Sequence, residues 1–301
     1  MPSRITHQMI GRSVVTDANL AANKLAETQR KLSSGRDILR PSDDPFGANR
    51  ALVMRESVER VSQHQRNVDE AIGWQTATDS ALSRVTDMIH RVRELLVQGS
   101  TDSMTQAGRD GIASEIDQLV EAVKQEANTS YAGRYLFSGT LTQTKPYSTD
   151  AYAGNSAAIA REIGPGVSVQ VNVIGSDLLG SGQAANDNRL LHVMRDIAQH
   201  LRGGTAADMT ALRGTDLQRL ISNTDEVARL RAVVGGTTNR LEAAQLRLRE
   251  LEETATRLLS ETEDADMAEA MVAFSMQQSV YESALRSGAT IVQASLMDFL
   301  R

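Results

Sequence analysis

The sequence predicts a mainly α-helical protein, an elongated rod of long antiparallel helices with a small β-rich insertion. Three observations predict this fold class: aromatic residues are scarce, apolar residues repeat in heptads, and the pattern changes near the middle of the chain. Aromatic residues make up 3% of the 301 residues. A core with so few rings must rest on Leu, Ile, Val, Met and Ala, which are the residues of helix–helix packing.

The longest predicted helix carries a heptad seam that starts at Leu230. Its positions alternate in steps of four and three residues, which is typical of coiled-coil packing. Extended back to about Asp216, this helix has about 45 residues and a length of ~67 Å. A compact globule of this chain length has a diameter of only ~50 Å, so an elongated molecule is expected. The seam comprises Leu230, Val234, Thr237, Leu241, Ala244, Leu248, Leu251, Ala255 and Leu258.

A second heptad seam ends at a loop and N-cap cluster of small and polar residues, Gly99 to Asp102. A third helix follows it, with apolar residues on one face between Ile112 and Val123. Two long helices joined by a short turn pack as an antiparallel pair, here against the helix that starts near Asp216. The second seam comprises Val68, Ile72, Gln75, Asp79, Leu82, Val85, Ile89, Val92 and Leu96.

Between Arg134 and Gln183 the pattern becomes β-like. The stretch "RYLFSGT" is rich in strand-forming residues, "VSVQVNV" alternates with period two, and Gly and Pro mark the turns. Helical spacing resumes near Asn186. We therefore expect three domains: terminal helices at 1–40 and 264–301, a helical rod at 41–135 and 186–263, and a small β-rich outer insertion at 136–185.

Both ends of the chain carry thin heptad-like stripes that include small and polar residues. Ordering about 34 residues costs of order 50 kcal/mol of conformational entropy, and each large apolar residue returns only about 2 kcal/mol on burial. The ends are therefore expected to need partners. The N-terminal stripe is Val14, Ala18, Ala21, Leu25, Thr28 and Leu32, and the C-terminal stripe is Met267, Met271, Phe274, Gln278, Tyr281, Leu285, Gly288, Val292, Ser295 and Phe299.

The stretch "KLSSGRDILRPSDDPFGANRALVMR" interrupts the helical pattern near the N-terminus. Gly35 stands where a glycine commonly follows a helix C-terminus. Arg40 precedes Pro41 and is therefore pushed towards extended backbone. Asp44 followed by Pro45 matches an N-cap acid with proline at the first helical position. The stretch is expected to end one helix, extend, and begin the next.

Composition and motifs argue against several other functions. A net charge near −6 disfavours general nucleic-acid binding, the absence of cysteine excludes thiol chemistry, and no apolar run approaches the ~18 residues that span a bilayer. Asp43 and Asp44 are adjacent, whereas a calcium loop alternates its ligands, so capping is favoured over a metal site. Gly180-Ser-Gly182 lacks the parallel strands of a dinucleotide site, and no cofactor or enzymatic activity is expected.

The helix-breaking stretch also carries a family resemblance. "QRKLSSGRDILRPSDDPFGANRAL" closely resembles the N-terminal signature of the bacterial flagellin superfamily. Its "RPSDDP" form is similar to the hook–filament junction branch rather than to flagellins, which read as a "KDDAAG"-like sequence there. "RYLFSGT" resembles that branch's entry into its outer domain, and "EDADMAEAMVAFSMQQSVYESAL" and "SLMDFLR" resemble its C-terminal helix. The opening "MPSRITHQMI" lacks the "INTN"-like start of flagellins, and residues 141–185 carry little family signal.

The resemblance implies a structural role in the extracellular part of the bacterial flagellum. Members of this branch are exported through the flagellar type III apparatus without a cleaved signal peptide. They form a ring between the first hook-associated protein and flagellin, and their terminal helices pair as an inner coiled coil. A short flagellin and a non-flagellar coiled-coil binding protein remain the alternatives. Before export, a cytoplasmic chaperone is expected to cover the C-terminal helix around Leu285, Val292, Leu296 and Phe299.

Two sets of residues are therefore expected to carry the function. The first set is the assembly interface of the terminal helices, and the second forms a conformational joint with intersubunit contacts, for which local capping is the alternative. The interface set is Val14, Ala18, Ala21, Leu25, Leu32, Phe274, Tyr281, Leu285, Val292, Leu296 and Phe299. The joint set is Gly35, Arg36, Arg40, Pro41, Asp43, Asp44, Pro45 and Arg50.

Overall fold

A computed structural model describes the backbone of residues 7–299 and the side chains of residue 9 and residues 11–290. The chain divides into two units, one built from the residues up to 60 together with those from 251 onward, and one from residues 61–250. The helices are α1 (His7–Ser34), α2 (Pro45–Gly99), α3 (Gln106–Ala127), α4 (Gly175–Leu179), α5 (Leu190–Gly203), α6 (Ala206–Ala211), α7 (Leu217–Glu263) and α8 (Met267–Phe299); the strands are β1 (Ser130–Tyr131), β2 (Arg134–Tyr135), β3 (Ala160–Gly164) and β4 (Val167–Gln170).

The long helix predicted from about Asp216 is confirmed as α7, which has 47 residues. Within residues 61–250 its seam is buried at Leu230, Val234, Leu241, Ala244 and Leu248. Leu251 and Leu258, which continue the seam into the other unit, are exposed. Ala255, between them, is buried. The heptad pattern therefore predicts the helix along its full length but predicts burial consistently only over its first part.

Helix α7 lies antiparallel to α2 within the unit of residues 61–250. Arg231 Nε donates to Asp79 Oδ1 at 2.9 Å, and Gln245 Nε2 donates to Asp69 Oδ1 at 2.6 Å. The partner on α2 moves back along the chain as the position on α7 advances. Polar pairs along the edge thus accompany the apolar seam between the two helices and agree with its antiparallel register.

Helices α2 and α3 form the predicted antiparallel pair. Arg84 on α2 contacts Glu126 on α3 at 2.7 Å, and Arg91 contacts Glu115 at 2.7 Å. The N-cap prediction at Gly99–Asp102 was wrong in position. Helix α3 begins at Gln106, because the Thr105 hydroxyl accepts a hydrogen bond from the Gly108 amide at 3.2 Å and so satisfies an unpaired N–H of the first turn.

The described strands form two short hairpins: one, at 130–135, precedes the predicted insertion of 136–185, and the other, at 160–170, lies within it. Strands β1 and β2 pair antiparallel across Ala132 and Gly133, whose φ angles of 48° and 76° give the twist that a two-residue hairpin needs. Strands β3 and β4 pair across Pro165 and Gly166, as the turn pattern predicts. Phe137, two residues after the end of β2, is buried and so fixes the insertion to the core of residues 61–250.

A buried tyrosine ties the insertion together. Tyr147 Oη donates to the carbonyl of Gly180 at 2.6 Å. Its backbone is held by Asn128, whose Nδ2 donates to the Tyr147 carbonyl at 2.9 Å while its Oδ1 accepts from the Tyr147 amide at 2.8 Å. Asn128 opens a formal glycosylation sequence, and both ends of its amide are used inside the fold. No helix in the described part of the chain is long and apolar enough to cross a membrane.

We expect Tyr147 to resist alkaline ionisation until the insertion unfolds. Burial raises the pKa of Tyr147 far above its usual value of 10, and it also raises the pKa of Tyr152. Because the folded pKa lies above the unfolded one, the stabilisation is complete below pH ~10 and is lost as the pH rises further. Tyrosinate absorbance should therefore show a step that coincides with the loss of circular dichroism. The Tyr147→Phe variant should show a smaller step, since Tyr152 still contributes to it. A Tyr147 step that precedes unfolding would contradict the expectation.

Candidate assembly surface

Helices α1 and α8 form an antiparallel pair. An ideal Cβ placed on Gly288 would lie 2.7 Å from Cγ1 of Val14, near the far end of the pair. At the other end the Ala265 amide donates to the Gly35 carbonyl at 2.9 Å. The approach at Gly288 is too close for any side chain without a shift of Val14. Glycine at this position therefore lets the two backbones come close together.

The N-terminal stripe of α1 faces α8, as the heptad spacing predicts. Ala21 is buried, and the other five stripe residues are partly buried, whereas the large apolar residues outside the stripe remain exposed. Burial of a stripe with so few large side chains removes little apolar area from water. The pair alone is thus weakly stabilised. The exposed large apolar side chains that the structure describes on α1 are Met9, Val15 and Leu20.

The register of the C-terminal stripe differs from the prediction. Phe274, Tyr281 and Gly288 turn inward as expected, but Met271 is 61% exposed and Leu285 is 48% exposed. Gln278 and Met267 are exposed as well. Small side chains and one glutamine occupy the positions between the inward-facing aromatic residues instead. The remaining inward positions are Ala270, Ala273, Gln277 and Ala284.

The exposed apolar residues of α8 lie on both sides of its contact with α1. At about 100° of rotation per residue, they fall into two flanks that a polar sector of serine and charged residues separates on the far side. A single helix can cover only one side of α8. Because α1 packs on the side between the two flanks, both flanks stay exposed to water. One flank consists of Met267, Met271 and Leu285, and the other consists of Val272, Met276 and Val280.

The start of α2 adds a further apolar surface to the same unit. Phe46 is 89% exposed, and Leu52 and Val53 are also exposed. An exposed apolar surface of this extent is a mark of protein–protein contact. The predicted interface residues Val292, Leu296 and Phe299 have side chains outside the described part of the chain.

The helix-breaking stretch behaves as the sequence predicts. Gly35 has a φ of +70°, and its amide donates to the Lys31 carbonyl at 2.9 Å, which ends α1. The Asp44 carboxylate accepts from the Phe46 amide at 3.0 Å, and α2 begins at Pro45. Lys31 Nζ lies 2.7 Å from Asp37 Oδ1, and this hydrogen bond raises the pKa of Lys31.

A second break, between α7 and α8, pairs with this stretch. The Asp37 amide donates to the Glu263 carbonyl at 2.8 Å, and with the bond from Ala265 to Gly35 this forms a short antiparallel bridge. Asp266 caps α8 because its carboxylate accepts from the Ala268 amide at 2.8 Å. We call residues 35–44 and 263–266 the joint. It contains both helix breaks of the unit.

Glu263 lies at the centre of the joint, and sequence reasoning missed it. Its side chain is only 2% exposed, and it accepts hydrogen bonds from Arg36 Nε at 2.8 Å and from Arg55. A buried carboxylate is stabilised only when it is paired, and these two arginines come from the joint and from α2. Glu263 therefore fixes the two breaks to each other. In the sequence it is one acid of the run "ETEDAD", with no signal of its burial.

Gly47, in the first turn of α2 beside the joint, is a second residue that sequence reasoning missed. A Cβ at this position would lie 2.4 Å from Asp44 Oδ2 and 2.5 Å from Ile38 Cδ1. Glycine lets the extended stretch pack directly against the first turn of α2. The sequence signal was available, since a glycine in the first turn of a helix is unfavourable unless space requires it.

The residues expected to contact other subunits fall into two groups. Arg36 is paired with Glu263, and Asp43 accepts from the Arg40 amide at 2.9 Å, so both are used within the chain. Arg40 and Arg50 are exposed and make no ion pair with the side chains that the structure describes, those of residue 9 and residues 11–290. These two arginines are available for an external partner.

Comparison with known proteins decides the family. Residues 5–142 match the family model of the bacterial flagellin N-terminal helical region, and residues 217–300 match that of the bacterial flagellin C-terminal helical region. The chain belongs to the bacterial flagellin superfamily. Each matched region includes one of the two terminal helices and the part of the joint next to that helix.

Within this superfamily the chain is of the hook-associated protein 3 type. It is 25% identical over 277 residues to flagellar hook-associated protein 3 of Escherichia coli K12, covering 85% of this chain and 87% of that protein. It is also 28% identical over 302 residues to a flagellin of Bacillus subtilis, covering 97% and 96% of the two chains. Sequence identity alone therefore does not separate the two types.

Solved structures of hook-associated proteins share the fold. A flagellar hook-associated protein of Vibrio parahaemolyticus has a TM-score of 0.65 at 20% identity, covering 74% of this chain and all of that one. FlgL of Bacillus cereus has a TM-score of 0.58 at 23% identity, covering 69% of this chain and 99% of that one. The mainly helical fold with a small β-rich part, predicted from the sequence, is thus a fold of this superfamily.

Proposed function

We propose that this chain is a structural subunit of the bacterial flagellum that assembles in a ring and joins the hook to the flagellin filament. The observation that carries the proposal is the apolar surface on both flanks of α8. Neighbouring terminal helices on either side would cover the two flanks, as happens in a closed layer of packed helices. Such a layer removes from water the Met, Val and Leu side chains that α1 leaves exposed, each worth about 2 kcal/mol.

The proposed partners are copies of this chain, the first hook-associated protein on one side of the ring and flagellin on the other. The described inward residues of the predicted interface hold the pair together, and the flanks of α8, Leu285 among them, contact neighbouring subunits. The inward residues are Val14, Ala18, Ala21, Leu25, Leu32, Phe274 and Tyr281. Arg40 and Arg50 contribute intersubunit ion pairs from the surface of the joint. Arg36 and Asp43 act indirectly, since they hold the shape of the joint.

Export places a further requirement on the same surface. The proposal takes the chain through the flagellar type III apparatus to the extracellular flagellum, with the terminal helices ordering fully on assembly. Before export, the apolar flanks of α8 need cover in the cytoplasm. A helical chaperone that accepts α8 in an apolar groove supplies that cover.

A deletion experiment tests the junction role directly. Cells that lack this chain should build hooks of normal length but release their filaments into the medium. Expression of the chain from a plasmid should restore attached filaments. Cells that retain attached filaments without the chain would contradict the proposal.

A short flagellin is the second candidate, and the end-to-end similarity to the Bacillus subtilis flagellin favours it. The two functions differ in self-polymerisation. A flagellin elongates into long filaments from purified monomer, whereas a junction subunit stops at a layer of limited height. Electron microscopy of the concentrated purified chain separates them, and long filaments would favour the flagellin.

A further inference from the structure

A cavity of about 230 Å³ lies where α2 meets the β-rich insertion, within the unit of residues 61–250. It is large enough to hold several water molecules or a small ligand. Its floor is apolar, with Ala71, Trp74 and Val171 all buried. Its rim carries Arg134 and Arg161. Neither the joint nor the terminal helices take part in it.

The charges at the rim are not balanced. Glu70 Oε1 lies 2.9 Å from Arg161 Nη2 and 3.6 Å from Arg134 Nη1, so one carboxylate serves two guanidinium groups. A guanidinium has five N–H donors, and a single oxygen atom uses few of the ten on this rim. The excess of positive charge and of donors favours a carboxylate, which guanidinium binds in a two-point geometry.

Trp74, one of the residues on the floor of the cavity, has an unpaired donor. Trp74 is only 4% exposed, and its indole Nε1–H has no acceptor among the residues that the structure describes. A buried polar group without a partner costs free energy, and such groups are usually satisfied by water or by a ligand. The residues that line this partly apolar cavity therefore include two arginines with unused N–H donors and a tryptophan with an unpaired indole N–H.

We propose that this cavity is a binding site for a carboxylate on a short apolar body. The carboxylate meets Arg161 and Arg134 at the rim, and the apolar body lies on the floor formed by Trp74, Ala71 and Val171. A free short-chain acid and the C-terminal residue of a peptide share this chemistry. The inference is independent of the proposed role in the flagellum.

Trp74 is the only tryptophan of the chain and therefore reports directly on the cavity. Hexanoate titrated into the full-length protein at constant ionic strength should change the tryptophan fluorescence to saturation. Hexanamide, which has the same shape without the charge, should give no saturable change. N-acetylleucine stands in for a peptide end: tighter binding than hexanoate assigns the site to a peptide terminus, and weaker binding assigns it to a free acid.

Two variants should move the affinity in opposite directions. Arg161→Gln should weaken hexanoate binding by about tenfold or more, because a charge-assisted hydrogen bond is lost. Glu70→Gln should strengthen it, because the competing carboxylate is removed. Arg93→Gln, an exposed arginine that does not line this cavity, serves as the matched control and should leave the affinity unchanged. A linear, unsaturable response, or equal affinities in all three variants, overturns the proposal.

Discussion

Replacement of Met276 and Val280 by glutamate is expected to abolish filament attachment while residues 61–250 stay folded. Both side chains lie on one flank of α8 and are exposed in the single chain, Met276 at 64%. Exposed substitutions usually change folding stability by no more than about 0.5 kcal/mol. In an assembled layer the same positions would be buried, and the two charges would then be unpaired in an apolar contact.

The expected size of this effect follows from burial alone. Each substitution removes about 2 kcal/mol of burial free energy from the assembly. A total loss near 4 kcal/mol lowers the association constant about a thousandfold. The cost of desolvating two carboxylates adds to this loss. Attached filaments counted by electron microscopy give the measurement, and the amount of chain recovered from the medium shows whether export is intact.

The matched control lies on the polar sector of the same helix. Ser275 and Ser279 are exposed, and their hydroxyl groups bond only to carbonyls of the preceding turn. The double change to glutamate at these positions adds the same charge to α8 and keeps every apolar side chain of both flanks. Filaments should remain attached in this control. Equal loss of attachment in both variants would show that charge on α8, rather than its apolar flanks, is what matters.

The sequence predicts the long helices well because their signal is repeated many times. In α7 the alternation of steps of four and three runs over much of the helix, so an accidental match at one position does not change the assignment. The ends of the joint were equally predictable. Gly35, Asp44 and Pro45 act through their own backbone preferences, and these do not depend on distant contacts.

The register of α8 was not predictable in the same way. Its apolar residues lie on both flanks of the α1 contact, so more than one stripe can be drawn through them. The contact itself uses Ala270, Ala273, Ala284 and Gly288, which carry little hydrophobic signal. What selects them is the close approach of the two backbones, shown at Val14 and Gly288. That is a property of the pair rather than of either helix.

Glu263 shows a different limit of sequence reasoning. Its partner Arg55 is 208 positions away in the chain, and Arg36 is still further. The burial of this acid depends on both helix breaks being brought together. Nothing local distinguishes it from Glu261 or Asp264, which remain exposed. Only the tertiary contact identifies Glu263 as the residue on which the joint depends.

Replacement of Glu263 by alanine is therefore expected to loosen the joint. Removal of one member of a buried ion pair usually costs 3–5 kcal/mol, because the partners lose their counter-charge. Arg36 and Arg55 are about half exposed and can be rehydrated, so we expect a smaller loss of about 2 kcal/mol. The loss for Glu263→Gln should lie between zero and the loss for Glu263→Ala, since the amide keeps one acceptor and the shape of the side chain.

Hydrogen exchange measures this loss where it occurs. The amides of Asp37 and Ala265 form the bridge between the two breaks, and a loss of 2 kcal/mol corresponds to exchange that is about 30-fold faster. Glu56→Ala is the matched control, because Glu56 pairs with Arg60 at 3.0 Å on the exposed surface of α2. Such a surface pair contributes at most about 1 kcal/mol. Equal exchange in the two variants would show that Glu263 does not hold the joint.

A double-mutant cycle separates the contribution of the pair from that of the cavity left by the side chain. Arg36→Ala alone removes one donor and leaves Glu263 with Arg55. If the two arginines share the carboxylate, Arg36→Ala combined with Glu263→Ala should cost less than the sum of the single changes. The Glu263→Ala chain should also assemble poorly although both flanks of α8 are intact, since the joint ties the break after α1 to the break before α8. Assembly at the normal level with a loosened joint would assign Glu263 to stability alone.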